Sequence, residues 1–548
     1  MVRIDLSGRA VGGWVVELGP EPVPGVTLKP VRKVSGVGPS PAIIELARWA
    51  AWRWVGRTAT FLRTASPDGV VRSLPAGGPA VVDGVAPTDP VVRAALAGER
   101  VVVRLPPAAD RAALVRASAV EGHTLVLCPR IDEARRLGER LRRDGMRVAV
   151  LASDRAGAAS AGAWARAAAG ATVVGARAAA WAPVGGFRRI IVLDEHDEGY
   201  QQEGSPTWHA RDVAVERARR AGVPCVLVSP CPSLEALGWG ELVVPDRATE
   251  RRGWGVVEVV DRREEDPTKG GLWSDRLVRL ARGPGRIVCV LNRKGRARLL
   301  ACARCGELTR CEVCEASVEQ LDGEVLRCRR CAAERPLICT ACGSGRLKNL
   351  RVGVTRAREE LEALVGEPVG EVTASAGDPS PDVRVLVGTE AVLHRVHRAD
   401  VVAFLDADQE LSAPRYRAAE QALTLFALAA RLVRGRDGGG RVLVQTRMPD
   451  HHVLRAVVGA DPGPVAESEA VLRNAMRFPP MAALALVGGA GAEEFMTSLG
   501  RPDGIEVLGP DDDRWLVRAA DHQRLCDTLG RVPRPAGRLR LEVDPLRI

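Results

Sequence analysis

The 548-residue chain reads as a mixed α/β protein with two lobes built on buried parallel sheets. A small β-rich unit precedes them, an α+β unit follows, and a cysteine-rich insertion sits in the second lobe. Three observations predict this. Short apolar runs alternate with helical stretches in two separate series, the pattern of parallel strands joined by helical crossovers. The length exceeds what a single hydrophobic core supports. Eight cysteines fall within forty-one residues and interrupt the second series.

Taken in order, residues 3–30 alternate apolar and polar around glycines (Val11-Gly12-Gly13-Trp14-Val15-Val16), which predicts short strands. Residues 41–63 carry Ile43, Ile44, Leu46, Ala47, Ala50 and Trp54 at helical spacing, which predicts one amphipathic helix. Trp49, Trp52 and Trp54 on that helix read as core, with stacking on nucleic-acid bases as the alternative. Residues 1–70 form an N-terminal domain, and the Pro-, Gly- and Asp-rich stretch 71–92 reads as a linker. Lobe 1 spans 93–250. Its strands are expected at Val101–Val103, Thr124–Cys128, Arg147–Leu151, Thr172–Val174, Ile190–Leu193 and Pro224–Val228, with helices at 131–144 and 208–221. Lobe 2 spans 251–460, with strands at 286–292, 383–387, 401–405 and 441–445 and the insertion at 301–346. The C-terminal domain, 461–548, is expected to hold strands near 482–487 and 514–518 and a helix near 520–530.

At 46% hydrophobic and 27% charged, the composition is that of an ordinary globular protein. No run of about 18 uncharged apolar residues occurs, so no membrane span is expected. Met1-Val2-Arg3-Ile4-Asp5 starts directly on structured-looking sequence without a signal-peptide pattern, and the expected location is cytoplasmic. The net charge of +10 suits a polyanionic partner. Arginine carries nearly all of it, because only Lys29, Lys33, Lys269, Lys294 and Lys348 are lysines.

The eight clustered cysteines form four C-x-x-C pairs: Cys302/Cys305, Cys311/Cys314, Cys328/Cys331 and Cys339/Cys342. Each pair can present two thiolates to one metal from a tight turn, and a tetrahedral zinc site takes two such pairs. Four pairs therefore predict two zinc ions per chain. Eight thiolate ligands leave no open coordination position, so the metals should be structural. Cys128, Cys225, Cys231, Cys289 and Cys526 are scattered, and read as small buried hydrophobes in a reducing compartment.

Several further stretches carry a resemblance. Asp194-Glu195-His196-Asp197 is followed by Tyr200-Gln201-Gln202-Glu203-Gly204 and His209-Ala210-Arg211-Asp212. Leu291-Asn292-Arg293-Lys294-Gly295 precedes the cysteines. Val387-Gly388-Thr389, Leu405-Asp406-Ala407-Asp408, Arg417-Ala418-Ala419-Glu420, Val444-Gln445-Thr446, Phe478-Pro479-Pro480 and Val543-Asp544-Pro545-Leu546 follow. In this order, with eight cysteines at these spacings, the chain resembles the bacterial replication-restart helicases of the PriA family, members of superfamily 2. The resemblance implies RecA-like helicase-type lobes and an N-terminal DNA-binding domain. Met1 falls inside that domain, which would then be truncated, and 66–92 leaves too little room for the family's winged helix. It also implies a nested pairing: Cys302, Cys305, Cys339 and Cys342 at one zinc, Cys311, Cys314, Cys328 and Cys331 at the other.

The departures from the family bear on function. A working motor needs a P-loop, G-x-x-x-x-G-K-[ST], whose backbone N–H groups and lysine hold the phosphates. The corresponding segment is Arg104-Leu105-Pro106-Pro107-Ala108-Ala109-Asp110-Arg111. It lacks the glycines, the lysine and the hydroxyl, and two prolines remove backbone donors. The acidic box has lost a residue, the S-A-T motif is Ser229-Pro230-Cys231, the A-K-G-H stretch is Leu393-His394-Arg395-Val396, and the arginine-finger motif is Ala430-Arg431-Leu432-Val433-Arg434. Asp110, Arg111, Asp194, Glu195, Arg431 and Arg434 are thus remnants of a nucleotide site. For Arg431 and Arg434, phosphate contact and a solvated cationic stripe both stay open. ATP is not expected as a cofactor.

The expected role is recognition of branched or single-stranded DNA at stalled forks and recruitment of replisome-loading proteins, without ATPase or helicase activity. The arginine-rich insertion supplies the candidate DNA contacts Arg304, Arg310, Arg329 and Arg330. The alternatives are a live ATP-dependent 3′-to-5′ helicase and a zinc-dependent adaptor that binds protein only.

Overall fold

A computed structural model describes residues 1–19, 25, 30–78, 87–152, 158–265, 271–291, 300–321, 325–328, 330–349, 354–373, 380 and 382–548. The expected segments Asn292-Arg293-Lys294-Gly295, much of the linker, Lys29, Lys269 and Arg329 lie outside the described residues. The chain divides into two compact units. The first holds Met1–Arg104, Asp110–Val244 and Met476–Leu546; the second holds Leu105–Ala109, Pro245–Ala475 and Arg547–Ile548.

The first unit is built on a seven-stranded sheet. Its order is Glu241–Val243, Arg100–Arg104, Cys225–Ser229, Arg189–Leu193, Thr124–Leu127, Thr172–Gly175, Val148–Leu151, and every pairing is parallel. Central strands such as Arg189–Leu193 and Cys225–Ser229 are buried throughout, which is why they read as unbroken apolar runs. The helices Arg111–Val120, Ile131–Arg143, Ala158–Ala168 and Ala210–Ala221 supply crossovers. A three-stranded antiparallel sheet, Arg9–Gly13, Val2–Leu6 and Val31–Val34, opens the chain. A four-stranded antiparallel sheet closes the unit in the order Ile505–Asp511, Arg514–Ala519, Ala483–Gly488, Arg540–Val543. One core runs through this unit, joining Ile43, Leu46 and Trp54 to Leu125, Ile190 and Trp181, and on to Ala485, Phe495 and Leu525.

The single helix expected over 41–63 is two helices, Pro41–Arg53 and Thr58–Ala65. The break is made by Val55 in the left-handed region (φ 47°), with Gly56 N–H donating 2.7 Å back to Ala51 O. Trp54 and Val55 are buried at this corner, so both helices keep their apolar faces on the same core. Periodicity carried across the corner because the apolar spacing continues through it. Trp54 is core and Trp49 is half-buried against it, edge to face with centroids 5.4 Å apart.

In the second unit six strands are all parallel, ordered Val256–Asp261, Arg441–Thr446, Val401–Phe404, Ile287–Val290, Val385–Gly388, Val369–Val372. The insertion between Ile287–Val290 and Val354–Val365 folds as two three-stranded antiparallel sheets. One joins Leu308–Thr309, Leu300–Cys302 and Leu347–Asn349; the other joins Val318–Gln320, Val325–Cys328 and Glu334–Pro336. Its apolar core is small: Leu300, Ala316, Val318 and Leu326 with two of the cysteines, Cys311 and Cys328. A core of that size does not hold a fold of this length, and metal binding is the usual remedy.

Candidate functional site

The four C-x-x-C turns share one backbone design. The first cysteine's carbonyl accepts from the residue after the second cysteine at 2.9 Å: Gly306, Glu315, Ala332 and Gly343 donate to Cys302, Cys311, Cys328 and Cys339. One residue further on, the carbonyls of Glu307, Ala316, Ala333 and Ser344 accept from the same four cysteine N–H groups at 2.8–2.9 Å. The donor residue is in the left-handed region each time, with φ of 79°, 58°, 58° and 71°. Glycine adopts this without penalty; Glu315 and Ala332 do not. Gly306→Ala should therefore cost about 1–2 kcal/mol within the insertion, whereas Ala332→Gly should be neutral or stabilising. Thermal unfolding of the two variants checks the sign; equal losses would contradict it.

The turns bring the sulfurs together as two tetrads, Cys302, Cys305, Cys339, Cys342 and Cys311, Cys314, Cys328, Cys331, each with all Sγ atoms within 4.8 Å of one another. The second set lies inside the first along the chain. Sγ···Sγ separations of 3.5 Å (Cys302–Cys342, Cys311–Cys331, Cys314–Cys328) and 3.6 Å (Cys305–Cys339) are far longer than a disulfide bond. They approach the roughly 3.8 Å edge of a tetrahedron with Zn–S near 2.3 Å. Both tetrads could hold a metal ion, and thiolate donors suit zinc. Burial opposes ionisation of Cys302, but backbone N–H groups of Cys305 and Arg304 and the neighbouring thiols outweigh it and bring this thiol down to about 6. The five scattered cysteines are all buried.

Of the candidate DNA-contact residues, Arg304 is exposed and Arg310 and Arg330 are half-buried beside their cysteines. Arg329 lies outside the described residues.

The residues expected to be remnants of a nucleotide site are engaged with the chain's own charges. Asp110 caps the helix Arg111–Val120, its carboxylate accepting from Ala112 N–H at 3.0 Å. Arg140 pairs with both its oxygens at 2.8 and 2.7 Å, and Arg116 adds a contact at 3.2 Å. Burial would raise this carboxyl, but the hydrogen bond and charge of Arg140 outweigh it and hold Asp110 below the usual carboxylate range. A helix N-terminus is where a triphosphate would sit, and here a carboxylate holds that place. Arg111 pairs with Asp194 and reaches Glu133 at 3.4 Å. Asp194 stands at a strand end in the left-handed region (φ 51°), with Arg111 as an ion-pair partner. Glu195, fully buried, accepts from Ser233 N–H at 2.8 Å, Ser233 Oγ at 2.8 Å and Arg211 at 3.1 Å. Burial raises its carboxyl against these donors. His196 meets Ser229 at 2.6 Å, so the acidic box and the S-P-C motif remain joined. The donor set does not fit a nucleotide triphosphate.

Leu105–Ala109 belong to the second unit, where Ala108 N–H donates to Gly253 O at 3.0 Å and Arg431 Nε donates to Pro107 O at 3.3 Å. Arg434, exposed, sits in the left-handed region (φ 63°) just past the helix Ala418–Leu432. Sequence reasoning missed Glu133, Arg140 and Arg116. Glu133 and Arg140 lie on the helix Ile131–Arg143 and Arg116 lies farther along the helix that Asp110 caps, and no motif marks any of them as a partner of Asp110 or Arg111.

No protein-family model matches the chain. Among curated proteins, the replication restart protein PriA of Haemophilus influenzae is 27% identical over 441 residues, 73% of this chain and 60% of its own length. That of Bacillus subtilis is 29% identical over 331 residues, 54% of this chain and 40% of its own length. The chain resembles these proteins over more than half its sequence while spanning less than two thirds of theirs. Among solved structures, a DEAD box protein from the hyperthermophile Methanococcus jannaschii aligns with a TM-score of 0.33 at 11% identity, covering 67% of this chain and 88% of that one. No helix among the described residues is long and apolar enough to cross a membrane.

Proposed function

We propose that this protein acts in replication restart as a DNA-binding factor without a motor. It binds forked or single-stranded DNA, brings replisome-loading proteins to it, works in the cytoplasm, and hydrolyses no ATP. The observation that carries this reading is the Asp110–Arg111 network. A carboxylate caps the helix where phosphates belong, and Arg111 is paired with Asp194, the acid that would serve a nucleotide-bound Mg²⁺. The sequence relatives named replication restart protein PriA support the broader role. In this reading the two cysteine tetrads hold one zinc ion each, as structural sites that stiffen the insertion.

DNA-stimulated phosphate release from purified protein is expected to be absent, against about 1–10³ per second for ordinary enzymes. An Asp194→Ala variant is the control. Turnover that this substitution abolishes would show a working nucleotide site and overturn the reading. A protein that is not retained on single-stranded DNA at low salt would be an adaptor that binds protein only.

A further inference from the structure

The inner cysteine tetrad is docked on its lobe along a continuous chain of contacts. Arg310 bridges Ser317 across the Cys311 turn, and Ser317 N–H donates to Ser412 O at 2.7 Å. Ser412 Oγ contacts Met448 Sδ at 3.3 Å, and Met448 O accepts from His451 N–H at 3.0 Å. The turn around Arg310 is therefore held beside the segment that opens the helix His452–Gly459. Arg330 is carried by the other turn of the same tetrad.

Cationic groups collect along this junction. His451 and His452 are half-buried with ring centroids 4.5 Å apart. Arg455, one turn along the helix, is exposed. His451 is pushed down to about 3 by burial first, then by His452, Arg310, Arg455 and Arg330. His452 is lowered by burial, Arg455 and Arg330, with Glu315 opposing. Most arginines elsewhere are matched to carboxylates or carbonyls. Among the described residues, Arg310, Arg330 and Arg455 have no side-chain hydrogen bond or ion pair within contact distance. The carboxylates whose fields reach the junction are largely engaged. Asp408 accepts from Thr446 and Arg447 N–H, and Glu469 pairs with Arg473 at 3.4 Å. Glu315 is exposed on the Cys314 turn. His452 Nε2 is buried without a partner.

We propose that this junction is a phosphodiester-binding seam, in which Arg310 and Arg330 of the insertion and Arg455, His451 and His452 of the lobe together grip the backbone of single-stranded DNA. Clustering like charges costs stability that Asp408, Glu469 and Glu315 offset only at a distance, and a polyanion is the ligand class that meets them directly. Guanidinium groups meet phosphate oxygens in bidentate geometry, and neutral imidazoles add hydrogen bonds. The proposal rests on the DNA-binding reading above and adds to it lobe residues that the cysteine motif does not mark.

The test is fluorescence anisotropy of a labelled single-stranded oligonucleotide against salt, using full-length wild type, Arg455→Gln, Arg330→Gln and the double variant. Arg356→Gln, whose arginine is already paired with Glu360 at 2.8 Å, is the control. Each seam substitution should weaken binding several-fold and reduce the salt slope by roughly 0.7–0.9, as loss of one phosphate contact requires. The control should not. Arg455 lies outside the cysteine turns, so its variant decides the matter even if Arg330→Gln disturbs metal content. If wild type binds and Arg455→Gln matches it in affinity and slope, the seam is wrong while the DNA reading stands. If wild type binds no DNA, both fall.

Discussion

Removing the metal, or any one of its ligands, is expected to unfold the insertion and leave the two parallel sheets folded. Cys328→Ser is the sharpest case. Cys328 is fully buried, belongs to the inner tetrad, and ends the strand Val325–Cys328 at the middle of its sheet. The apolar residues around it, Leu300, Ala316, Val318 and Leu326, are too few to hold the module alone. Structural zinc in comparable modules contributes about 10–16 kcal/mol of apparent binding free energy near neutral pH, and that free energy is also folding free energy. Metal analysis should find two zinc ions per wild-type chain and a loss in the variant. Proteolysis should then open between residues 300 and 349 while fragments bearing the lobes persist. A variant that keeps both ions, or resists proteolysis in that interval, would contradict the structural role given to the tetrads.

Truncating Arg111 should produce the second large effect. Asp194 has only 3% of its side chain exposed, and Glu133 only 18%, so Arg111→Ala removes a cation from one buried carboxylate and weakens the pairing of a second. Breaking a buried pair from one side costs about 3–5 kcal/mol, because the remaining charge has lost its compensation. Removing both partners is far milder. Combining Arg111→Met with Asp194→Asn should therefore recover most of the loss, and asparagine suits the left-handed backbone at that position. Urea denaturation followed by a signal from the first unit measures both. A single-variant loss under about 1 kcal/mol, or a double variant no better than the single, would show that Arg111 and Asp194 are not interdependent.

The sequence alone determined the elements whose burial is written locally. The strands Thr124–Leu127, Arg189–Leu193 and Cys225–Ser229 are buried on both faces, so each appears as an unbroken apolar run. The C-x-x-C pairs were legible because two thiolates from one turn need that spacing. The absence of a G-x-x-x-x-G-K-[ST] pattern was legible because contact with phosphate requires those glycines and that lysine.

Other features became visible only in three dimensions. The strand Ile505–Asp511 is half exposed and polar towards its end, and it owes its place to Arg514–Ala519 beside it rather than to any pattern of its own. The helix break at Val55 lies inside continuous apolar spacing, and only the shared core requires the corner. Arg473 is fully buried in the helix Gly463–Met476, held by Glu420 and Glu469 and stacked on Tyr416. Asp544 is held well below the usual carboxylate range against the effect of burial by His522 and by Arg53, a residue 491 positions away. Periodicity records which side of an element faces the core, because burial acts on each residue where it stands. A buried charge depends on finding an opposite charge within a few ångströms. That neighbour can come from anywhere in the chain, so the pairings around Asp110 and Arg111 and the cationic junction beside the tetrad are decided by tertiary packing.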